Sequence, residues 1–409
     1  MAAELTAAEA PGRSVTALVM LSHFFEARRG GIELVAAALA RELASLDFRV
    51  VWLATGRPTD SSASDGRVCL RASRIVEALL KVPYPVLLPS GWRAIFRAVK
   101  AGDLVMAHDA IYLTSIAGFL AARLYRRPIL LVQHVGFVPY RSVVLRTLMR
   151  LANRLVAAPI LRLSDRVVFI SELTRQHFAE VRWLRPPTLI FNGVDTHIFS
   201  APRSEADVES ARKSLALPPG VPIALFVGRF TEKKGLNVLE RIVNMRRDVF
   251  FAFAGHGELD PQKWGAPNVA VFATLSGESI APLYRACDVL VLPSVGEGFP
   301  LVVQEALASG LPVLCGRDTA QADPRAGPYL HGVAVDLDSP EQTARSFSEE
   351  MSRILGHSSD VSGRKARSQF AMTAYSWAAA ASEYVRLLGR LRSDDSDARR
   401  GSHAPQAGS

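Results

Sequence analysis

The chain has 409 residues, of which 49% are hydrophobic and 21% charged. At roughly 150 residues per domain, that length suggests two or three packed domains, and the composition excludes collagen-like, disordered and disulfide-scaffold classes. The 48 Lys and Arg exceed the 39 Asp and Glu by nine, a surplus suited to an anionic partner such as nucleotide phosphate, anionic lipid or nucleic acid.

Residues 1–14 carry two Glu and no basic residue before Arg13. They lack the positive and apolar regions of a signal peptide, so a flexible N-terminus and a cytoplasmic location are expected. Apolar blocks at 15–21, 49–55, 103–108, 128–134, 166–171 and 188–192 alternate with longer helical stretches, the rhythm of a parallel sheet with crossover helices. The segment 143–163 is the most apolar long stretch, but Arg146, Arg150, Arg154 and Arg162 interrupt it, so no transmembrane helix is expected. The polar residues 200–220, with Pro202, Pro218, Pro219 and Gly220, read as a linker plus a short helix. A second series of blocks follows at 222–227, 249–254, 269–273, 289–292 and 312–315, each near-continuously apolar as in strands covered on both faces. The fold class is therefore α/β, with two Rossmann-like doubly wound domains at 15–199 and 221–362 facing each other across a cleft. A helix is expected over 363–391, returning toward the first domain, and a disordered tail over 392–409. The three cysteines, Cys69, Cys287 and Cys315, lack CxxC spacing and fit a reducing compartment, the last two as buried small hydrophobes.

The stretch 293–313, PSVGEGFPLVVQEALASGLPV, is the richest in chemistry. Glu297 falls in a glycine-rich turn after a strand, and Glu305 about one turn into the next helix. The N–H groups of Gly298, Phe299 and Leu301 approach that helix's N-terminus, with Pro300 at its first position, and offer donors to a polar ligand. Two carboxylates repel phosphate, but they accept hydrogen bonds from sugar hydroxyls. In FVGRFTEKKGL, 226–236, Gly228, Arg229, Lys233 and Lys234 sit between a strand and a helix and suit a diphosphate, although the spacing is not that of a Walker A loop. Gly30 and Gly31 follow the first strand, where small residues admit a close-lying ligand.

These residues together resemble the GT-B glycosyltransferases, specifically the retaining family 4. The resemblance runs from Val15 to about Leu391 and rests on Glu297-x7-Glu305, GRFTEKKG at 228–235, GHGE at 255–258, FNGVD at 191–195, SELT at 171–174 and Gly30-Gly31. It implies a hexose moved from a nucleotide-diphospho-sugar, UDP- or GDP-linked, to a glycolipid or polysaccharide precursor, with no metal or other cofactor. Arg229 and Lys234 are then expected on the diphosphate, and Glu305 on the ribose hydroxyls. Glu297, with the backbone of Gly298 to Leu301, is expected on the transferred sugar, Gly31 against the phosphates, and His134 near sugar and phosphate. Thr274 stands where the family usually has a glycine beside the nucleobase, which leaves the base open. The loop CGRDTAQADP after 311–314 departs from the family's Gly-Gly and Pro-Glu pairs.

Other features read as structural. His108-Asp109 looks like a nucleophile-activating pair but lacks a locatable Ser or Cys. The D-x-D patterns at Asp336 and Asp395 read as a helix cap and solvated tail. In the first half, WRAIFRAVK at 92–100 and the arginine stripe beside Val144, Leu145, Leu148, Leu151 and Leu155 suggest a basic amphipathic surface for anionic lipid, or else a helix packed on the sheet. The donor set disfavours nucleic acid as partner. A nucleotide-sugar epimerase on the same fold and a non-catalytic sugar-nucleotide-binding protein are the alternatives. An oxidoreductase is disfavoured because no GxGxxG follows the first strand.

Overall fold

The computed structural model describes residues 15–28, 30–58, 66–80, 84–136, 142–275, 277–357 and 361–401. The expected flexible start, 1–14, and the last part of the expected tail, 402–409, lie outside the described residues. In the first domain the strands are β1 (Thr16–Phe24), β2 (Phe48–Thr55), β3 (Arg67–Leu70), β4 (Ala72–Ser73), β5 (Val86–Leu87), β6 (Leu104–His108), β7 (Ile129–Gln133), β8 (Arg166–Phe169) and β9 (Thr188–Leu189). Seven of them form a parallel sheet in the order β3-β2-β1-β6-β7-β8-β9, while β4 and β5 pair apart, antiparallel. The second domain holds β10 (Ile223–Val227), β11 (Phe250–Ala254), β12 (Val269–Phe272), β13 (Val289–Leu292), β14 (Val313–Gly316) and β15 (Leu330–Val333). They form a parallel sheet in the order β12-β11-β10-β13-β14-β15. Both sheets wind outward from their first strand and then reverse, placing topological switch points between β1 and β6 and between β10 and β13.

The apolar blocks are continuous because both faces of each sheet are covered. In the first sheet the two faces separate residue by residue. Val19, Leu21, Val105, Leu131 and Phe169 enter one core, and Leu18, Met20, Leu104, Leu130 and Val168 enter the other. Asp103, Asp165 and Asp288 each precede a strand and accept the N–H of a neighbouring strand's entry residue: Ala17 at 2.9 Å, Ile129 at 3.0 Å and Ile223 at 2.8 Å. These carboxylates satisfy sheet-entry donors that the ladder leaves open.

Two parts of the expected organisation need correction. The segment 200–220 is not a free linker: its helix Glu205–Ser214 buries Val208 and Ala211, and Arg212 donates to Ala286 O and pairs with Asp288 at 2.7 Å. It therefore packs as part of the second domain. The expected helix over 363–391 is two helices, Val361–Tyr375 and Trp377–Gly401, broken at Ser376. The first stays on the second domain, where Arg364 donates to Cys287 O. The second returns to the first domain and inserts Tyr384, Leu387, Leu388 and Leu391 into its core. It also continues past Leu391 into the expected disordered tail, because Arg392 donates to Thr16 Oγ1 and Asp394 pairs with Arg166 at 2.9 Å.

The chain passes between domains at 191–195 and again at 375–377, and the two crossings bind each other. Val194 N donates to Tyr375 O at 2.6 Å, Phe191 packs edge-on against Phe299 and Tyr375, and Gly193 lies directly under the Trp377 indole. Gln304 Nε2 donates to Asn192 O at 2.9 Å from the second domain.

Candidate functional site

The site residues of the second domain come from the two loops that flank its switch point. After β10, Gly228 takes φ +152°, and a one-turn helix Glu232–Lys234 ends at Gly235, φ +77°. Gly235 is forced twice, by that left-handed backbone and by Pro293 O, which occupies the space of a Cβ. Val295 N donates to Lys233 O at 3.1 Å, tying the loop after β13 to the loop after β10. This bond brings Lys234 Nζ to 2.6 Å from Glu297 Oε1, both side chains largely buried. Burial works to raise the Glu297 pKa. The fields of Lys234 and Lys233, the bond from Lys234 and the field of Arg229 outweigh it and hold the group below the ordinary carboxylate value. Arg229 itself is exposed on the same loop. Lys233, which belongs to the same cluster, has its pKa lowered by burial and by the two neighbouring cations against the pull of Glu297.

Glu305 lies on the helix Leu301–Ala308, which starts one residue later than expected, with Pro300 as its N-cap at φ −64°. Its Oε2 accepts from the hydroxyl of buried Tyr284 at 2.5 Å, and burial pushes its pKa up to about 7 against that bond. No sequence signal joined Tyr284 to this site; the contact exists only because the helix Ala281–Ala286, packed against β10 and the helix Glu205–Ser214, brings Tyr284 to the helix that carries Glu305. Phe299 is buried in the interdomain aromatic cluster, so only its backbone is available to a ligand, and Gly298 presses on the first domain at His134 O.

The first domain contributes residues at the carboxyl ends of β1, β6 and β7. Gly30 caps the helix Gly31–Ser45 with ordinary extended backbone. The flexible end of Glu33 lies over Gly30 where a Cβ would be, while Gly31 has open space there. Glu33 Oε1 pairs with His23 Nε2 at 3.3 Å. Burial raises the Glu33 pKa against its own N–H, Arg28 and, across the cleft, Arg229. His134 Nε2 and His108 Nδ1 share a 2.9 Å hydrogen bond, and both residues are buried, His108 completely. Asp109 Oδ1 accepts from the N–H of His134 at 3.2 Å and of Val135 at 3.3 Å. The His108-Asp109 pair is thus a support for His134 and activates no nucleophile among the described residues. Asp336 Oδ1 accepts from Asp338 N at 2.9 Å, a turn just ahead of the helix Pro340–His357 rather than the helix cap expected from the sequence.

The arrangement is one of two doubly wound domains whose switch points face a shared cleft, with cations and an ion-paired carboxylate on one wall and a histidine on the other. Two family models match in succession: Glycosyltransferase Family 4 over residues 29–198 and Glycosyl transferases group 1 over residues 221–355. The chain belongs to this family of glycosyltransferases and has the GT-B fold. Among its relatives, the D-inositol 3-phosphate glycosyltransferase of Corynebacterium aurimucosum is 26% identical over 349 residues, 76% of this chain and 82% of that protein. The enzyme of the same name from Streptomyces avermitilis is 27% identical over 342 residues, 74% of this chain and 72% of that one. By structure, sucrose-phosphate synthase from Thermosynechococcus elongatus superposes with a TM-score of 0.70 at 19% identity, over 93% of this chain and all of that one. Anabaena HepE in complex with UDP and glucose gives a TM-score of 0.67 at 14% identity, over 91% of this chain and 99% of that one.

Proposed function

We propose that the protein is a retaining, metal-independent hexosyltransferase that uses a nucleotide-diphospho-sugar, UDP- or GDP-linked, to extend a glycolipid or polysaccharide precursor. The observation that carries this reading is the Lys234–Glu297 pair beside Arg229 at the second switch point. As the glycosidic C–O bond breaks, negative charge grows on the leaving diphosphate and the sugar becomes oxocarbenium-like. Lys234, held by Glu297 before the reaction begins, and Arg229 beside it stabilise the first change. Glu297, kept ionised, accepts from sugar hydroxyls, and Glu305 from the ribose. The UDP and glucose in HepE support a uridine donor. The decisive assay follows nucleotide release and product configuration with UDP-, GDP- and ADP-sugars, with and without EDTA. Its acceptor arms are a membrane extract and D-inositol 3-phosphate, the compound in the relatives' names. Absence of release with every donor rejects the enzyme, loss of release with EDTA rejects the metal-free mechanism, and free sugar formed without acceptor favours an epimerase.

We also infer peripheral attachment to an anionic membrane face. The helix Val143–Ala152 buries none of its residues, and it continues through a π-turn, Asn153–Ala157. Val143, Val144, Leu148 and Leu155 are each more than half exposed, at 65, 75, 55 and 67%. A helix lying on a sheet turns such residues inward, whereas here they share the outer surface with Arg150, Arg154 and the half-buried Arg146. No helix among the described residues is long and apolar enough to cross a membrane.

A further inference from the structure

The floor of the first domain's crevice holds five ionisable side chains that are nearly sealed from solvent: His23, Glu33, His108, Asp109 and His134. They surround the first switch point, with His23 on β1, His108 on β6, Asp109 just after it and His134 just after β7. Among the described residues, three of their atoms are buried with no partner: His23 Nδ1, His108 Nε2 and Asp109 Oδ2. Asp109 also takes a left-handed backbone, φ +62°, which costs energy for a residue other than glycine. A fold retains such groups where the arrangement itself is needed.

The hydrogen bond between His108 Nδ1 and His134 Nε2 has two possible directions, and the surroundings distinguish them. Burial holds both rings neutral, so each carries one proton. If His134 donated, His108 would carry its proton on Nε2, an N–H buried with nothing to receive it. If His108 donates, its Nε2 is a bare lone pair, and unmatched acceptors are tolerated in protein interiors more often than unmatched donors. His134 then accepts on Nε2 and carries its own proton on Nδ1. Among the described residues that nitrogen has no hydrogen-bond partner, which leaves it as the ring's unused donor. The His134 carbonyl meets Gly298, the residue after Glu297, so the backbone of residue 134 lies at the junction of the two domains.

We propose that His108 and Asp109 are positioning residues: His108 Nδ1–H donates to His134 Nε2, and this fixes His134 as the tautomer that presents Nδ1–H to the cleft as a donor for an oxygen of the nucleotide-sugar. Asp109 completes the device by holding the N–H groups of His134 and Val135, which sets the height of the ring above the sheet. The step involves no proton transfer. A neutral donor stabilises oxygen charge that develops during transfer and, unlike a buried imidazolium, adds no charge to the floor of the crevice. This inference rests on the glycosyltransferase reading for its substrate, but its tautomer does not.

Two experiments test it. In the full chain labelled with 15N-histidine, with His134→Gln identifying the resonance, His134 is expected to show a protonated Nδ1 and a bare Nε2; the reverse pattern overturns the proposal. In the transfer assay His108→Leu is expected to lower kcat/KM for the donor by about 10- to 100-fold, the usual scale for loss of a group that orients another. His108→Asn, whose amide reaches the Nδ1 position, is expected to restore most of that loss, which a merely space-filling role would not allow. Full activity in His108→Leu with His134→Gln impaired overturns the positioning role. Full activity in both overturns the substrate-facing half and removes His134 from the site, while leaving donor binding by Arg229 and Lys234 to its own assay.

Discussion

Gly298 of the second domain faces the main-chain carbonyl of His134 in the first, so closely that a Cβ on residue 298 would stand 2.6 Å from that oxygen and 3.2 Å from Thr174 Oγ1. Both obstacles are held: Thr174 by Ser171 at its helix start, His134 by Asp109. Gly298→Ala therefore pushes the second-domain loop, and Glu297 with it, away from the first domain. Turnover should fall roughly 10- to 100-fold, the scale of a displacement near 1 Å, with the melting temperature nearly unchanged. Steady-state kinetics beside a thermal melt checks this, and turnover within twofold of the parent shows that the close approach is not required.

Arg229→Ala and Lys234→Ala should each cost about 10²–10³-fold in kcat, the loss seen when one preorganised charge-stabilising donor is removed. Circular dichroism should show both variants folded, since neither side chain belongs to a hydrophobic core. Retained activity in both rejects the diphosphate assignment.

Glu305 gives a pH dependence with a defined sign. Its folded pKa, about 7, lies above the ordinary 4.5 because burial disfavours the carboxylate. Its protonated form is therefore favoured by folding: the contribution to stability is fully present below pH 4.5 and is lost as pH rises through about 7. Ligand binding runs the other way, because ribose hydroxyls need the ionised acceptor. Apparent donor affinity should thus improve through about pH 7 while thermal stability declines, and Glu305→Gln should flatten both trends. An affinity profile of Glu305→Gln that parallels the parent's excludes this carboxylate as the titrating group.

The outward helix predicts a binding effect separable from catalysis. Val144→Glu with Leu148→Glu replaces two exposed apolar residues by charges that anionic lipid repels, and neither residue touches a core. Sedimentation with anionic vesicles at low salt should retain the parent and release the double variant, with turnover on a soluble acceptor unchanged. If the parent itself stays in the supernatant, the membrane surface is rejected.

The strands most legible in the sequence are those buried on both faces, such as Leu104–His108 and Val289–Leu292, because full burial produces an unbroken apolar run; the edge strand Val269–Phe272, only partly buried, is legible as well because all four of its residues are apolar. Arg67–Leu70 and Leu330–Val333, at sheet edges and partly exposed, carry no such run and were missed. The break at Ser376 was equally silent, since it arises from pairing with Val194 in a distant segment. Polarity predicted disorder after Leu391, but Arg166 and Thr16, remote in sequence, supply partners that extend the helix.

The sequence by itself determined the class: two parallel α/β sheets, and a set of glycines, cations and carboxylates each following a strand. That much is local, because a parallel strand must end in a loop on the sheet's carboxyl edge, where its polar residues gather. Which of them meet was decided only by tertiary structure. Lys234 finds Glu297 because Val295 bonds Lys233, Glu305 finds Tyr284 through the packing of two helices, and His134 rests on His108 through the register of β6 and β7. Such pairings depend on loop conformation and on the approach of one domain to the other, which leave no periodicity in the chain.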